Sequence, residues 1–318
     1  MTAAAPGSMP SAVVFGYHDV GVRCLAALLD YGVRVPLVVT HEDDPGEERF
    51  FASVAALAAK HGIPAITPAD ANDAATVARV REAAPDFLFS FYYRRMLGSA
   101  LLAIPRRGAF NMHGSLLPKY RGRAPVNWAV LHGEAETGAT LHEMVAKPDA
   151  GRIAGQRAVP IGPDDTAGEV MGRVAEAAEA LVRGLLPALV DGSLVLRVQD
   201  LSQGRYFGGR RPEDGRIDWT HTAAEVHNLV RAVAPPYPGA FTEQRGARIM
   251  VLRTRRLPSP PPGTPPHPAL FVQGHDCLAA CGDGAVLRVE DMAIDGRPAT
   301  GRDFLARFGL QPIPLAPT

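Results

Sequence analysis

Short apolar blocks alternate with stretches of helical spacing along the first two thirds of this chain. Ala12–Gly16 is a continuous apolar block of strand length, and Val22–Leu29 is an apolar-rich helix. Val33–Val39 is β-branched and strand-like. Glu47–Lys60 reads as an amphipathic helix that stops at Gly62, and Ile63–Ile66 as a short strand before Pro68. Asn72–Ala83 is a helix with Asn72 as its cap, Asp86–Phe91 a buried strand, and Gly108–His113 another. Alternation on this scale predicts a doubly wound, mostly parallel sheet with helices on both faces.

The pattern then changes. Ala139–Val145 and Ile153–Pro160 read as a strand pair joined by the turn Pro148-Asp149-Ala150-Gly151, and Asp165-Thr166 caps a long helix reaching about Leu189. From Gly204 a second regime begins, with one helix at Ala223–Ala232 and short strands at Ile249–Arg253, Ala269–Gln273 and Ala285–Val289. The Pro258–Pro268 stretch is loop-like, because proline cannot donate to a ladder. The expected division is a tail at 1–9, an α/β domain at 10–203, and a small OB-like β-barrel domain at 204–318. In the tail, Met9 offers a second start and Gly7-Ser8 has the form of a cloning junction.

Composition narrows the function classes. Nearly half of the 318 residues are apolar, enough for sizeable cores. Lys and Arg balance Asp and Glu at 33 each, so no global basic field awaits nucleic acid. No apolar run approaches the ~18 residues of a membrane span, and no signal peptide is apparent, so a cytoplasmic setting without a membrane partner is expected. The three cysteines, Cys24, Cys277 and Cys281, are too few for a disulfide framework. His275-x-Cys277-x-x-x-Cys281 lacks a fourth zinc ligand, so no metal is expected. The segment after the first strand, Gly16–Gly21, lacks the glycine spacing of a dinucleotide loop.

The candidate chemistry lies around Ala109–Pro125. On a strand, Asn111 and His113 share one face while Phe110 and Met112 share the other. The polar pair suits a cleft at the carboxyl end of the sheet. Asn111 offers an N–H to a developing oxyanion, and His113 can donate a proton or a hydrogen bond to the same oxygen and can shuttle protons. Asp149 lies on a turn able to fold back beside His113, where it would favour the imidazolium and raise the imidazole pKa, and could accept a proton from an attacking amine, directly or through water. The loop Ser115-Leu116-Leu117-Pro118-Lys119-Tyr120-Arg121-Gly122 adds Lys119, Arg121 and Arg123 as anion grips. Taken singly, each feature has a plain alternative: a surface Asn-x-His, a turn aspartate, an exposed basic loop. His132 and His142 read as a helix-end and a strand residue.

Together, Phe110–Pro125 and Asp149-Ala150-Gly151 resemble the 10-formyltetrahydrofolate-dependent formyltransferases. Val13–Asp19, Thr40–Glu47, Phe89–Arg94, Gly133–His142 and Arg231–Phe241 resemble more closely the formyltransferase half of the bifunctional polymyxin-resistance enzymes, which act on UDP-4-amino-4-deoxy-L-arabinose. This resemblance extends from about Ser11 to Gly309. It implies a catalytic set of Asn111, His113 and Asp149 and transfer through a tetrahedral intermediate. It also implies N10-formyltetrahydrofolate as cosubstrate, held by Arg95, Met96, Leu97, Arg123 and the stretch Val145, Ala146, Lys147, Pro148 and Asp149. The partner implied is a nucleotide-linked amino sugar, in a pathway such as lipid A modification, and a homo-oligomer is compatible with it. The oxidative-decarboxylase half is not in this sequence, so formylation is expected to stand alone. The alternatives are another UDP- or dTDP-amino sugar, or methionyl-tRNA. Against tRNA, residues 205–318 carry 14 Arg and 11 acids, too small an excess for tracking phosphates.

Overall fold

The computed structural model describes residues 9–42 and 51–315. The first part of the chain forms β1 (Ser11–Gly16), α1 (His18–Tyr31), β2 (Arg34–Val39), α2 (Val54–Lys60), β3 (Ala65–Ile66), α3 (Ala74–Glu82), β4 (Phe87–Phe91), α4 (Ser99–Leu102) and β5 (Gly108–His113). It continues with β6 (Arg121–Gly122), α5 (Pro125–Leu131), β7 (Glu136–Glu143), β8 (Ile153–Pro160), α6 (Ala167–Asp191) and β9 (Tyr206–Phe207). The main sheet has the order β3-β2-β1-β4-β5-β7-β8. Its first five strands are parallel, as the alternation predicts. β7 runs antiparallel to β5. Chain order reverses between β1 and β4, and open α/β sheets take ligands outside the carboxyl ends of strands at such a switch.

The strands are apolar because they are covered on both sides: every residue of β1 and β4 is buried. Val13, Phe15, Leu37, Val39, Leu88 and Leu101 share one core. β8 meets the long α6, and a Cβ on Gly155 would press into the methyls of Leu181 and Leu185 at 2.9–3.0 Å. Phe89 is fully buried and stacks on Phe91 at 5.3 Å and on Phe110 of the site strand at 6.0 Å. Phe89→Ala is expected to cost about 3–5 kcal/mol, since the strands cannot close over the lost ring. A urea-unfolding midpoint shift with unchanged slope checks it.

Several boundaries differ from the periodicity. Of the predicted helix Glu47–Lys60, residues 47–50 lie outside the described residues and 51–53 are not helical. The helix starts at Val54, with Ser53 accepting from the Ala56 N–H. α3 is capped by Asp73 rather than Asn72, because the Asp73 carboxylate takes the Thr76 N–H. The strand predicted at Ile63–Ile66 shortens to two residues, as Pro64 cannot donate. The strand predicted at Ala139–Val145 runs instead from Glu136 to Glu143. The helices α4 and α5, and a further one at Gly301–Phe308, have no counterpart in the periodicity, being too short for a clear apolar period.

The remaining elements are α7 (Ala223–Val233), β10 (Ala240–Gln244), β11 (Ala247–Arg256), β12 (Ala269–Gln273), β13 (Asp276–Ala280), β14 (Val286–Ile294), β15 (Arg297–Ala299), α8 (Gly301–Phe308) and β16 (Ile313–Pro314). They build an antiparallel sheet of order β10-β11-β14-β13-β12-β16, with β15 on β14. Register shifts between Val251 and Thr254 curl it, as bulges do. This curled sheet is an open form of the expected barrel. Trp219, Val226, Val251, Leu287 and Phe304 fill its core. Cys277 and Cys281 are packed there as apolar groups, and burial pushes both thiols up to about 12. His275 is exposed, apart from them.

The chain packs into two compact units. One holds residues up to Pro125 with Thr137–Pro160 and Met171–Phe207; the other holds Val126–Glu136, Ile161–Val170 and the residues from Gly208 onward. No helix among the described residues is long and apolar enough to cross a membrane.

Candidate active site

β5 delivers Asn111 and His113 from one face of the sheet, and Phe110 and Met112 are buried on the other. The His113 Nε2 lies 2.8 Å from the Tyr120 carbonyl oxygen. A carbonyl only accepts, so this nitrogen carries the proton and Nδ1 is the exchangeable position. Nδ1 faces the Asp149 Oδ1 at 3.6 Å. The sequence expectation that these three groups come together is met in geometry: a strand pair and one turn assemble them.

Asp149 sits in a left-handed conformation, φ 52°, which an aspartate adopts more readily than a branched residue. Its Oδ2 accepts the Gly122 N–H at 2.8 Å. Gly122 itself has φ 104°, and a Cβ there would collide with the Phe207 carbonyl, so β6 can lie against β9 only with glycine at this position. Gln199 donates to the backbone carbonyls of Asp149 and Gly151, pinning the turn from 48 to 50 residues away. The turn reading of Asp149 and the chemical one are therefore the same fact.

His142 belongs to the site as well as to a strand. It pairs with Asn111 across the β5–β7 ladder and is 2% exposed. Its Nε2 stands 3.1 Å from the Asn111 Nδ2 and 3.5 Å from the Asp149 Oδ1. Sequence spacing did not single it out, because its partner strand comes 31 residues earlier. Of the three loop cations, Arg121 is not an anion grip. It is buried, and its guanidinium donates to the carbonyls of Leu201 and Gly204. Lys119 and Arg123 are exposed.

Burial and charge set the protonation states. Burial holds the His113 imidazole below its ordinary range and outweighs the pull of Asp149 and the Tyr120 contact, while His142 adds to the depression. This reverses the net direction expected from the carboxylate alone. For Asp149, burial acts upward, but His113, His142 and the Gly122 N–H bring the carboxyl down to about 2. The N–H contribution needs no charged imidazole, so an ionised Asp149 coexists with an uncharged His113 at neutral pH. A histidine-selective NMR titration should place the His113 midpoint below the ordinary ~6.5. In Asp149→Asn it should fall further, since burial remains and the attraction is gone. A midpoint above the ordinary value would contradict this balance.

The residues named for folate lie on two segments. Tyr92–Gly98 follows β4, with Arg95 and Met96 exposed, Met96 by 61%. Leu97 is buried in the core, so only its backbone is available to a ligand. Asn72 fixes this segment, donating to the Met96 carbonyl at 3.0 Å and accepting from the Gly98 N–H at 2.6 Å. His41 accepts the Arg94 N–H at 3.0 Å and stacks on Tyr93 at 4.1 Å. Burial, with Arg95 and Arg94 nearby, pushes His41 down to about 4, so it remains an acceptor. The second segment, Val145–Lys147, is exposed, and Pro148 is half-buried. Sequence reading missed both Asn72 and His41 as supports; nothing local to either marks a contact tens of residues away.

An amide, an imidazole and an ionised carboxylate stand at the carboxyl edge of a doubly wound sheet, groups of the kind acyl transfer uses. The chain belongs to the formyl transferase family: the formyl transferase family model matches residues 12–185, and the formyl transferase C-terminal domain model matches residues 210–309. Among solved structures, it is similar to the N-formyltransferase from Helicobacter canadensis in complex with folinic acid and dTDP-3-aminofucose. That match has 20% identity over 89% of this chain and 99% of that one, with a TM-score of 0.71. It is also similar to WlaRD, a sugar 3N-formyl transferase solved in the presence of dTDP and 5-N-formyl-THF, at 19% identity over 89% of this chain and 97% of that one, TM-score 0.71. A sugar N-formyltransferase from Shewanella sp. matches at 20% identity over 76% of this chain and 96% of that one, TM-score 0.61. At these identities the likeness is one of fold.

Proposed function

We propose that this protein transfers a formyl group from N10-formyltetrahydrofolate to the amine of a nucleotide-linked amino sugar, most closely UDP-4-amino-4-deoxy-L-arabinose. The convergence of Asn111, His113 and Asp149, in a chain of the formyl transferase family, carries the reading. The sugar class is supported by the bound dTDP-3-aminofucose of the Helicobacter structure. The particular sugar is supported by the extended sequence resemblance. For the donor, the exposed Arg95, Met96 and Arg123, the backbone of Leu97, and Val145–Asp149 are the contacts we assign; the Asn72 and His41 bonds hold the first of these segments ready. N10-formyltetrahydrofolate supplies an already activated one-carbon acyl group.

This chain's residues do the rest. The acceptor amine adds to the formyl carbon, and Asn111 donates an N–H to the oxygen that gains charge. The uncharged His113 Nδ1 takes the proton that the amine must lose. Ionised Asp149, facing that nitrogen, stabilises the imidazolium while it exists. His113 then returns the proton to N10 as the carbon–N10 bond breaks, leaving a formamide and tetrahydrofolate. With its Nε2 proton on Tyr120, His113 acts here as proton carrier, and Asn111 alone serves the oxyanion.

The test offers N10-formyltetrahydrofolate with a panel of UDP-, dTDP- and GDP-amino sugars, initiator methionyl-tRNA, and no acceptor. Turnover confined to UDP-4-amino-4-deoxy-L-arabinose is expected. Turnover on another sugar overturns the particular substrate and keeps the class. Formylated tRNA, or silence on every acceptor, overturns the proposal.

A further inference from the structure

His142 is a buried side chain beside the catalytic groups that the mechanism above leaves without a task. Its Nδ1 lies 2.9 Å from the carbonyl oxygen of Glu143. A carbonyl accepts only, so Nδ1 bears the ring proton, and in the uncharged imidazole Nε2 presents a lone pair. That lone pair is 3.1 Å from the Asn111 amide nitrogen. The Asp149 Oδ1, 3.5 Å from the same Nε2, has no proton to give it. With the ring uncharged, the amide N–H is the donor that satisfies Nε2. A turned amide would set the Asn111 oxygen against the lone pair, acceptor against acceptor.

We infer that His142 is a positioning residue that fixes which way the Asn111 amide faces. One Nδ2–H is committed to Nε2, which keeps the second N–H, and not the amide oxygen, available to the charge-gaining oxygen of the transferred acyl group. Two features make this a built arrangement. The backbone ladder places the two residues opposite each other, Asn111 against His142. The Glu143 carbonyl sets the ring's tautomer from the side away from the amide. Asparagine by itself does not choose between its two amide orientations; a neighbour with one defined lone pair does.

The inference rests on the formyl-transfer reading, and its test separates the two. His142→Leu keeps bulk but offers no acceptor; His142→Gln carries an amide oxygen near the place of Nε2. His142→Leu is expected to lower kcat roughly 10- to 10²-fold, the scale of a misplaced donor, with KM for the folate changed less than about twofold. His142→Gln should recover most of that loss. In an Asn111→Ala background, His142→Leu should cost nothing further, since its effect runs through Asn111.

Wild-type kcat in His142→Leu, no rescue by Gln, or a full additional loss on top of Asn111→Ala would each overturn it. An independent arm needs no activity: ¹⁵N imidazole shifts of the folded wild type should show His142 as the Nδ1–H tautomer. The Nε2–H form would overturn the inference even if the Leu variant fails to fold. Wild-type silence on all acceptors strikes the formyl-transfer reading, while the tautomer measurement still decides the geometry.

Discussion

Replacing Asn111 by Ala is expected to lower kcat roughly 10²–10³-fold, the usual cost of one lost oxyanion donor. The folate KM should stay within about threefold, because Asn111 meets charge that develops only as the amine adds. Steady-state kinetics with saturating acceptor separate the two quantities. Unchanged turnover, or a loss seen mainly in KM, would remove Asn111 from the chemistry. The double variant Asn111→Ala, His113→Ala should be hardly slower than His113→Ala alone, since groups acting as a unit do not add. Folding should be little affected: Asn111 is only half-buried, and its neighbours Phe110 and Met112 hold β5 in the core.

Asp149→Asn should be more damaging, by roughly 10³–10⁴ in kcat, the scale seen when an amide replaces the carboxylate behind a histidine. The reason is local. The Gly122 N–H, 2.8 Å from Oδ2, needs an acceptor and will take the amide oxygen. The new NH2 then falls on the Oδ1 side, 3.6 Å from the His113 Nδ1, and donates to it. Nδ1 would be held as an acceptor, unable to exchange a proton, and the imidazolium would have lost its counter-charge. Geometry should survive, because Gln199 holds the turn through backbone carbonyls of Asp149 and Gly151, which the substitution leaves in place. Near-native thermal stability with collapsed turnover is the expected pair of results. Retained turnover would mean that Asp149 serves the turn alone.

The pH behaviour follows from the same arrangement. The proposed transfer requires an uncharged His113 Nδ1, and burial keeps the imidazole below its ordinary range. The protonated fraction therefore grows only as pH falls below the usual histidine value, and Asp149, brought down to about 2, stays ionised throughout that range. The expectation that the carboxylate would raise the net His113 pKa considered one neighbour. Desolvation by the surrounding protein is the larger influence, and it exists only once the chain has folded.

Sequence by itself determined what short-range chemistry dictates. Alternating apolar blocks and helical spacings specify a parallel sheet, because strands covered on both faces must be apolar throughout, as β1 and β4 are. The period of two along β5 put Asn111 and His113 on one face, and the proline, aspartate and glycine of residues 148–151 specified the turn that carries Asp149. Tertiary structure decided everything that depends on a neighbour distant in the chain. His142 joins the site because β7 lies antiparallel on β5. Arg121 leaves the list of anion grips because the carbonyls of Leu201 and Gly204 claim its guanidinium. Asn72, read as a helix cap, supports the Met96–Gly98 segment, since Asp73 caps α3 with a shorter reach. A hydrogen bond has no sequence signature when its partners are dozens of residues apart, and only packing brings them within bonding distance.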